Sequence, residues 1–326
     1  MGKARFSASE IAAAELRNNP SADSRTIAKK LFKQHPRVWA SIDAARSSVR
    51  YLRGRMGDAA RKKAAVIIPR IEVPEPDDTG WRVHQLPTEI KKWLVISDIH
   101  VPYHSRKALQ LALEFGRDQA CDGVLINGDL IDFARISRFE DNPTLRHPLE
   151  ELDLTNRVLD AIEKVGAKKI VMKCGNHDAR LPKYLMQRCP EMFKKINEHF
   201  NINVLLKLRR RGISYVPDMH PIRHQELTIL HGHEWGKGVT NPVNPARGAF
   251  LRAKDNVLSG HLHKTSNHSE TTVRDVVISC SSTGCLCGLH PHYQPLTNWN
   301  HGFAILATGT KWSVHNYKII GEKEVV

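Results

Sequence analysis

Short, continuous hydrophobic runs recur along the chain from Glu89 onward. Five of them read WLVIS, GVLIN, KIVMKC, LTIL and NVLS. Runs this short and this uniformly apolar are typical of strands that are covered on both faces. Amphipathic segments such as SRKALQLALEFGRDQ and LDLTNRVLDAIEKVG lie between some of them. The alternation predicts a layered α/β domain over residues 89–326.

Residues 1–65 have a helical pattern instead. SASEIAAAELRNN and SADSRTIAKKLFKQHP both begin with residues that cap helices, and VWASIDAARSSVRYLRGRMG repeats its apolar residues at helical spacing. Three short helices, the last rich in arginine, suit a helix-turn-helix-like domain in which Arg46, Arg50 and Arg53 contact nucleic acid. A basic arm that docks on a protein or on RNA is the alternative.

Residues 66–88 separate these two patterns. They contain four prolines and show little periodicity. This composition predicts a Pro-rich linker, with a strand at its edge as an alternative for part of it.

Positive charge is concentrated in the helical segment. The whole chain has a formal net charge of +15, and residues 1–65 hold 15 lysines and arginines against 5 aspartates and glutamates. This segment therefore carries +10 of the total. Such asymmetry predicts a polyanionic partner, and nucleic acid is the expected one, while protein partners stay unknown.

Several protein classes do not fit the composition. No run approaches the ~18 apolar residues that a membrane span needs, and MGKARFSASE lacks the apolar core of a signal peptide. We therefore expect a cytoplasmic protein that does not bind membranes. The group Cys280, Cys285 and Cys287 is interpreted as buried thiols, with a zinc knuckle as the alternative.

Residues that can ligate metals follow all five hydrophobic runs. The clusters are Asp98-Ile99-His100, Gly128-Asp129, Gly175-Asn176-His177-Asp178, His231-Gly232-His233 and Gly260-His261-Leu262-His263. Any one of them alone is commonly a turn or a pair of surface histidines. Ligand sites in α/β sheets gather at the carboxyl ends of strands, so we expect the five clusters to converge on one site.

In this order, D-x-H, GD, GNHD, H and GHxH resemble the calcineurin-like metallophosphoesterase superfamily, over Lys91 to Ala307. The resemblance implies a metal-dependent phosphoesterase and an α/β fold of two sheets packed as a sandwich and flanked by helices. To this the helical pattern adds a small all-α N-terminal domain. The basic N-terminal segment is also similar to segments carried by phosphoesterases of phages and prophages.

The resemblance also implies a role for each matching residue. It assigns the first metal to Asp98, His100 and His263, the second metal to Asn176, His231 and His261, and the bridging position to Asp129. It makes His177 the catalytic histidine beside the leaving group, with Asp178 orienting its ring. Asp132, in GDLID, is expected to serve local structure only.

Two divalent transition-metal ions are the cofactors that this assignment requires. A mixed imidazole and oxygen ligand set suits Mn, Fe, Zn, Co or Ni better than Mg or Ca, and Mn²⁺ is the first choice. Two such ions clamp a phosphate and acidify a bridging water to hydroxide, the nucleophile. His177 would then protonate the departing oxygen.

Contacts to the substrate are predicted for two further residues. Arg180 lies two residues past Asp178, where it could bind a phosphate with two hydrogen bonds, and His104 could line the pocket. His292, Tyr293 and Trp299 are expected to pack under a loop, with a role in the substrate pocket as the alternative.

The predicted substrate is nucleic acid, which makes the chain a nuclease or a DNA-end phosphatase. GDLIDFAR lacks the arginine-glycine pair that follows this motif in phosphoprotein phosphatases, which disfavours phosphoprotein. A small-nucleotide phosphodiesterase or phosphatase is the first alternative. A DNA-binding regulator with an inactive phosphoesterase fold is the second.

Overall fold

The structure, a computed structural model, describes residues 7–67, 73–137, 146–236, 243–292 and 295–326. The chain divides into two compact units after Asp78. No helix in the described ranges is long and apolar enough to cross a membrane.

The first unit is helical. Its described helices are α1 (Ala8–Asn18), α2 (Ser24–Gln34), α3 (Ile42–Leu52) and α4 (Asp58–Ile67). Side-chain oxygens of Ser7, Asp23 and Ser41 accept hydrogen bonds from the first backbone N–H groups of α1, α2 and α3. A small core that includes Leu16, Leu31 and Val49 joins these three helices. The sequence predicted three helices ending by residue 65, whereas α4 is a fourth helix that enters the predicted linker.

The second unit contains two β-sheets. Its described strands are β1 (His84–Gln85), β2 (Lys92–Ile96), β3 (Gly123–Asn127), β4 (Lys169–Lys173), β5 (Ser214–Val216), β6 (Ile222–His224), β7 (Leu227–Ile229), β8 (Val257–Ser259), β9 (Ser266–Thr271), β10 (Val277–Ser282), β11 (His301–Ala307), β12 (Ser313–Ile320) and β13 (Glu324–Val325). One sheet has seven of these described strands in the order β13-β12-β11-β2-β3-β4-β5, and the other has six in the order β1-β6-β7-β8-β10-β9. The short strand β1 lies inside the segment predicted as a linker.

Helices flank both sheets. The remaining described α-helices are α5 (Arg106–Asp118), α6 (Pro148–Glu163), α7 (Arg180–Arg188), α8 (Phe193–His199), α9 (Ile202–Leu205) and α10 (Pro245–Ala253). Side chains of α5, α6, α7 and α9 contribute to the core on the outer face of the seven-stranded sheet. Helix α10 packs on the outer face of the six-stranded sheet, against β8 and β10.

The side chains of strand β2 enter two different cores, which explains its run of apolar residues. Trp93 and Val95 lie in the core between the two sheets, whereas Leu94 and Ile96 lie in the core beneath the helices. Since alternate residues of a strand point to opposite faces, a strand covered on both sides needs apolar residues throughout. The predicted α/β fold of two sheets flanked by helices is confirmed.

Candidate metal centre

The five clusters of ligand-type residues lie at the carboxyl ends of strands from both sheets. Strands β2, β3 and β4 are parallel neighbours in one sheet, and β7 and β8 are parallel neighbours in the other. The segments that follow them are Asp98–His100, Asp129, Asn176–Asp178, His231 and His261–His263. The side chains of these segments meet at one end of the sandwich, as the following distances show.

The first group centres on Asp98. Its Oδ1 atom lies 3.1 Å from Nε2 of His263 and 3.9 Å from Nε2 of His100. The two imidazole Nε2 atoms are 3.2 Å apart. All three side chains are almost fully buried. Three ligand-type atoms this close together can bind one cation.

The second group centres on Asp129. Its Oδ2 atom lies 3.1 Å from Nε2 of His231 and 3.6 Å from Nε2 of His100. Ligand atoms of Asp129, His231 and His261 all lie within 4.8 Å of one another. Because Asp129 is close to histidines of both groups, its carboxylate lies between the two potential cation positions.

The backbone of these segments is unusual. Five of the seven predicted ligands have a positive φ in the left-handed region, between 49° and 67°, namely Asp98, His100, Asp129, His261 and His263. Residues other than glycine seldom adopt this conformation, and such residues cluster at functional sites.

Two glycines allow the segments to approach each other. A Cβ atom on Gly175 would lie 2.2 Å from Oδ1 of Asp129, and one on Gly260 would lie 2.1 Å from Oγ of Ser97 and 2.7 Å from Oδ2 of Asp98. Neither position has room for a side chain. Glycine at these two positions therefore allows the ligand-bearing turns to pack closely.

Hydrogen bonds on the far side of two imidazoles fix which nitrogen faces the cluster. Nδ1 of His231 lies 2.7 Å from the carbonyl oxygen of Asn127, and Nδ1 of His100 lies 2.8 Å from Oδ1 of Asp132. In each ring Nδ1–H donates to the oxygen, so Nε2 is the nitrogen that faces the buried carboxylates. Metal-ligating histidines are held in this way.

Among the described residues, buried Oδ1 of Asn176 has no hydrogen-bond partner, and buried Nε2 of His231 has none apart from its 3.1 Å contact with the Asp129 carboxylate. Leaving a buried acceptor unsatisfied is costly, so such atoms call for an explanation. A divalent cation would satisfy both atoms. The donor set therefore fits a metal.

The charges of the cluster also favour a cation. Burial raises the pKa values of Asp98 and Asp129, but neighbouring imidazoles outweigh burial and hold both pKa values below their ordinary range. His263 and His231 act on Asp98, and His231 and His177 act on Asp129. Burial lowers the pKa of His231, but the two carboxylates raise it to about 10. Two ionised, buried carboxylates create the negative potential that attracts a metal.

The ring of His177 is oriented by a different carboxylate from the one predicted. Nδ1 of His177 lies 2.5 Å from Oδ1 of Asp132. Asp178 instead accepts hydrogen bonds from the backbone N–H groups of Asp129, Leu130, Ile131 and Gly175. The role given to Asp178 is therefore wrong, because its carboxylate is used to hold the ligand-bearing turns. Asp132 is the residue that the sequence analysis missed as a partner of the site.

Lys173 is a second residue that the sequence analysis missed. It is fully buried in β4, and its Nζ lies 2.7 Å from Oε1 of Glu234. The carboxylate of Glu234 in turn accepts hydrogen bonds from the backbone N–H groups of His231 and Gly232. This ion pair fixes the turn that presents His231. The signal in the sequence was a lysine inside an otherwise apolar run, KIVMKC.

Comparison with known proteins assigns the family. Residues 91–275 match the family model described as calcineurin-like phosphoesterase. The chain belongs to the calcineurin-like phosphoesterase family. It is therefore a metal-dependent hydrolase of phosphoester bonds, and the fold and family predicted from the sequence are confirmed.

Similar proteins include a phage protein and two solved structures. The Gene 54 protein of Mycobacterium phage L5 is 27% identical over 227 residues, which is 66% of this chain and 88% of that protein. The E. coli phosphoesterase YfcE is 15% identical with a TM-score of 0.34, covering 72% of this chain and 96% of its own. Vps29 of Entamoeba histolytica, solved in complex with zinc, is 14% identical with a TM-score of 0.39, covering 72% and 96%. TM-scores this low mark a loose similarity, so the family assignment rests on the family match.

The predicted substrate contacts of this phosphoesterase lie next to the centre. Nη2 of Arg180 is 3.2 Å from Nε2 of His177, and Nη1 donates to the carbonyl oxygen of Asp132 at 2.8 Å. His104 is partly buried and lines a cavity beside His100 and His263.

The three arginines predicted to contact nucleic acid differ from one another. Arg46 and Arg50 are exposed on α3. The guanidinium of Arg53 instead donates to Oγ of Ser24 and to the carbonyl oxygens of Pro20 and Ala22. This side chain ties the end of α3 to the segment before α2, and its contact with nucleic acid stays a prediction.

Proposed function

We propose that this phosphoesterase holds two divalent metal ions and hydrolyses phosphoester bonds in nucleic acid, as a nuclease or a DNA-end phosphatase. The position of Asp129 carries the proposal of two metals. Its Oδ2 atom lies within 3.6 Å of Nε2 of His100, in one group, and within 3.1 Å of Nε2 of His231, in the other. Oδ1 of Asp98 is farther from the second group, at 3.8 Å from Nε2 of His231. A carboxylate close to both groups of ligands, as Asp129 is, has the position expected of a bridging ligand.

In this proposal the seven predicted ligands keep their sequence-based assignments. Asp98, His100 and His263 would hold the first ion, Asn176, His231 and His261 would hold the second, and Asp129 would hold both. When bound, such ions supply positive charge for the phosphate and acidify the attacking water. Mn²⁺ is the proposed metal, and Fe, Zn, Co and Ni suit the same imidazole and oxygen set.

His177 is proposed as the residue that protonates the leaving oxygen. Its Nδ1–H donates to the Asp132 carboxylate, so Nε2 is the atom available for proton transfer. Arg180 presents its guanidinium 3.2 Å from the same Nε2. A protonated His177 and Arg180 are both donors, and a phosphate oxygen can accept from each of them.

Nucleic acid is proposed as the substrate because of the charge on the helical unit. Residues 1–65 carry +10 of the chain's +15. In the described part of this unit, Arg25, Lys29 and Lys33 are exposed at four-residue spacing on α2, as are Arg46 and Arg50 on α3. Basic residues repeated at this spacing share a helix face and suit a phosphate backbone.

The test is hydrolysis in Mn²⁺ of single-stranded DNA, duplex DNA and bis-p-nitrophenyl phosphate, by the wild type and His177→Ala. We expect DNA cleavage that the substitution abolishes. Hydrolysis of the small diester alone would support a phosphodiesterase activity and would indicate small nucleotides, not DNA, as the substrates. DNA binding without hydrolysis of any substrate, in any of the five metals, would favour a DNA-binding regulator with an inactive fold.

A further inference from the structure

A cavity of about 350 Å³ borders the candidate metal centre on the side of His263 and His100. Its outer wall includes the rings of Trp299, Tyr103 and His292. The volume lies within the range of ~300–1,000 Å³ that is usual for small-ligand sites. The cavity therefore has room for a flat ring directly beside the proposed metal ligands.

Trp299 is an aromatic residue of this wall that contacts a proposed metal ligand. Its ring centroid lies 4.0 Å from that of His263, with 73° between the ring planes. The backbone N–H of the next residue, Asn300, donates to the carbonyl oxygen of His263 at 3.0 Å. The indole is therefore positioned by the same segment that presents a proposed ligand.

The described residues on either side of positions 293 and 294 hydrogen-bond to each other. Oγ1 of Thr297 donates to the carbonyl oxygen of Leu289 at 2.7 Å, and Nδ1 of His290 lies 2.9 Å from the carbonyl oxygen of Pro295. Both contacts join these two segments. A braced wall is preorganised, which lowers the entropic cost of binding a ring against it.

The cavity differs in charge from a second one on the other side of the centre. Among its described lining residues there is no lysine or arginine. The second cavity lies beside Asn176 and is lined by Arg180, Lys183 and Tyr184. One side of the centre thus offers guanidinium and ammonium groups, and the other offers aromatic rings, imidazoles and the carboxylate of Asp132.

We propose that the aromatic cavity binds the nucleobase of the nucleotide whose phosphate lies at the metal centre, with Trp299 as the stacking surface. A nucleobase is a flat, uncharged ring joined to a phosphate through one sugar. A substrate of this shape could place its base in the aromatic cavity and its phosphate at the adjacent metal centre, because the proposed ligands His100 and His263 line that cavity. Bases stack on aromatic side chains with little regard to sequence. The inference rests on the proposed function, since it names the part of a nucleic-acid or nucleotide substrate that this side of the site holds.

The experiment is calorimetric titration of the full chain, with Mn²⁺ added, using thymidine 5′-phosphate and 2-deoxyribose 5-phosphate. The two ligands differ only in the base. In the wild type we expect thymidine 5′-phosphate to bind more tightly by roughly 10-fold to 100-fold, the range that one stacked base supplies. In Trp299→Ala the two ligands should bind equally, and Trp299→Phe should restore most of the difference.

Tyr184→Ala is the matched control, since it removes an aromatic ring from the cationic cavity and should leave the ratio of the two affinities unchanged. Equal binding of the two ligands by the wild type, or no binding of either, would overturn the proposal. So would a ratio that persists in Trp299→Ala.

The same preparations are tested for hydrolysis of bis-p-nitrophenyl phosphate, which separates this inference from the proposed function. Hydrolysis of the diester together with equal binding of the two ligands would contradict the nucleobase site but support the phosphodiesterase activity. Tighter binding of thymidine 5′-phosphate without hydrolysis of the diester would support the nucleobase site but contradict the proposed activity.

Discussion

Nδ1 of His177 and Oδ1 of Asp132 lie 2.5 Å apart. The same carboxylate oxygen lies 2.8 Å from Nδ1 of His100. One buried carboxylate therefore orients both the proposed catalytic histidine and a proposed metal ligand. The ring centroids of the two histidines are 4.4 Å apart, so this carboxylate joins the candidate metal centre to the proposed point of proton transfer.

Asp132→Asn is expected to lower the kcat for bis-p-nitrophenyl phosphate by about 10- to 100-fold, the usual effect of losing a partner of a metal ligand. The neutral amide is a weaker acceptor than the carboxylate to which Nδ1 of His177 and Nδ1 of His100 both donate. Steady-state kinetics with saturating Mn²⁺ measure the effect. Asp118→Asn, at an exposed carboxylate on α5, is the control. An unchanged kcat in Asp132→Asn would show that the contact is not used in catalysis.

Gly175→Ala is expected to weaken metal binding while the fold is retained. The new methyl group would lie 2.2 Å from Oδ1 of Asp129, so the proposed bridging carboxylate would have to move. Gly309→Ala is the control, because its Cβ would meet no neighbour closer than 3.8 Å. Titration with Mn²⁺ should show a loss of affinity in the first variant only. Equal affinity in both would mean that Asp129 does not bind the metal.

The sequence predicted the strand ends but not the contacts that join them. The five hydrophobic runs contain β2, β3, β4, β7 and β8, because strands covered on both faces are apolar throughout. Each run also led directly into its ligand-type residues, so the convergence of these residues could be expected from topology alone.

Asp132 was missed for a reason that is also physical. Its partners His100 and His177 are 32 and 45 residues away in sequence, and no local pattern records that the three loops meet. Asp178, next to His177 in sequence, was the obvious choice, but its side chain points to backbone N–H groups instead.

The outer strands of both sheets were also hard to predict. Strand β9 reads SNHSET and is largely exposed, so it has no apolar run. Its pairing with β10 is antiparallel and continuous over six residue pairs. Backbone hydrogen bonds to a neighbour define such a strand, and its own composition contributes little.

Glu151 is expected to make the stability of the second unit depend on pH. The residue is fully buried, its Oε2 accepts a hydrogen bond from the N–H of Phe133, and burial raises its pKa to about 8 from an ordinary value of 4.5. The folded state favours the protonated carboxyl, so this group's contribution to stability is complete below pH ~4.5 and is lost as pH rises through about 8.

Glu151→Gln should therefore unfold at a more nearly constant temperature between pH 5 and pH 8, while the wild type loses stability over the same ~3 pH units. Thermal unfolding in the presence of a chelator measures the difference. Glu150→Gln, at the adjacent exposed position, should behave like the wild type. The same pH dependence in Glu151→Gln as in the wild type would contradict the account.

Arg46 and Arg50 are expected to contribute to DNA affinity through phosphate contacts. The double variant Arg46→Ala/Arg50→Ala should bind duplex DNA more weakly and lower the slope of log affinity against log salt by about 1 for each arginine. Fluorescence anisotropy at several salt concentrations measures both quantities. Arg106→Ala/Arg117→Ala removes the same charge from exposed positions on α5. Equal slopes in the two double variants would mean that α3 does not contact DNA.

The most direct test of the dinuclear site is its metal stoichiometry, measured together with its activity. Wild type and Asp129→Ala are loaded with Mn²⁺, freed of excess metal, and assayed for bound metal and for hydrolysis of bis-p-nitrophenyl phosphate. Two ions per wild-type chain are expected, with fewer ions and no turnover in Asp129→Ala. One ion per active wild-type chain, or full turnover without the Asp129 carboxylate, would contradict a centre in which that carboxylate joins two metals.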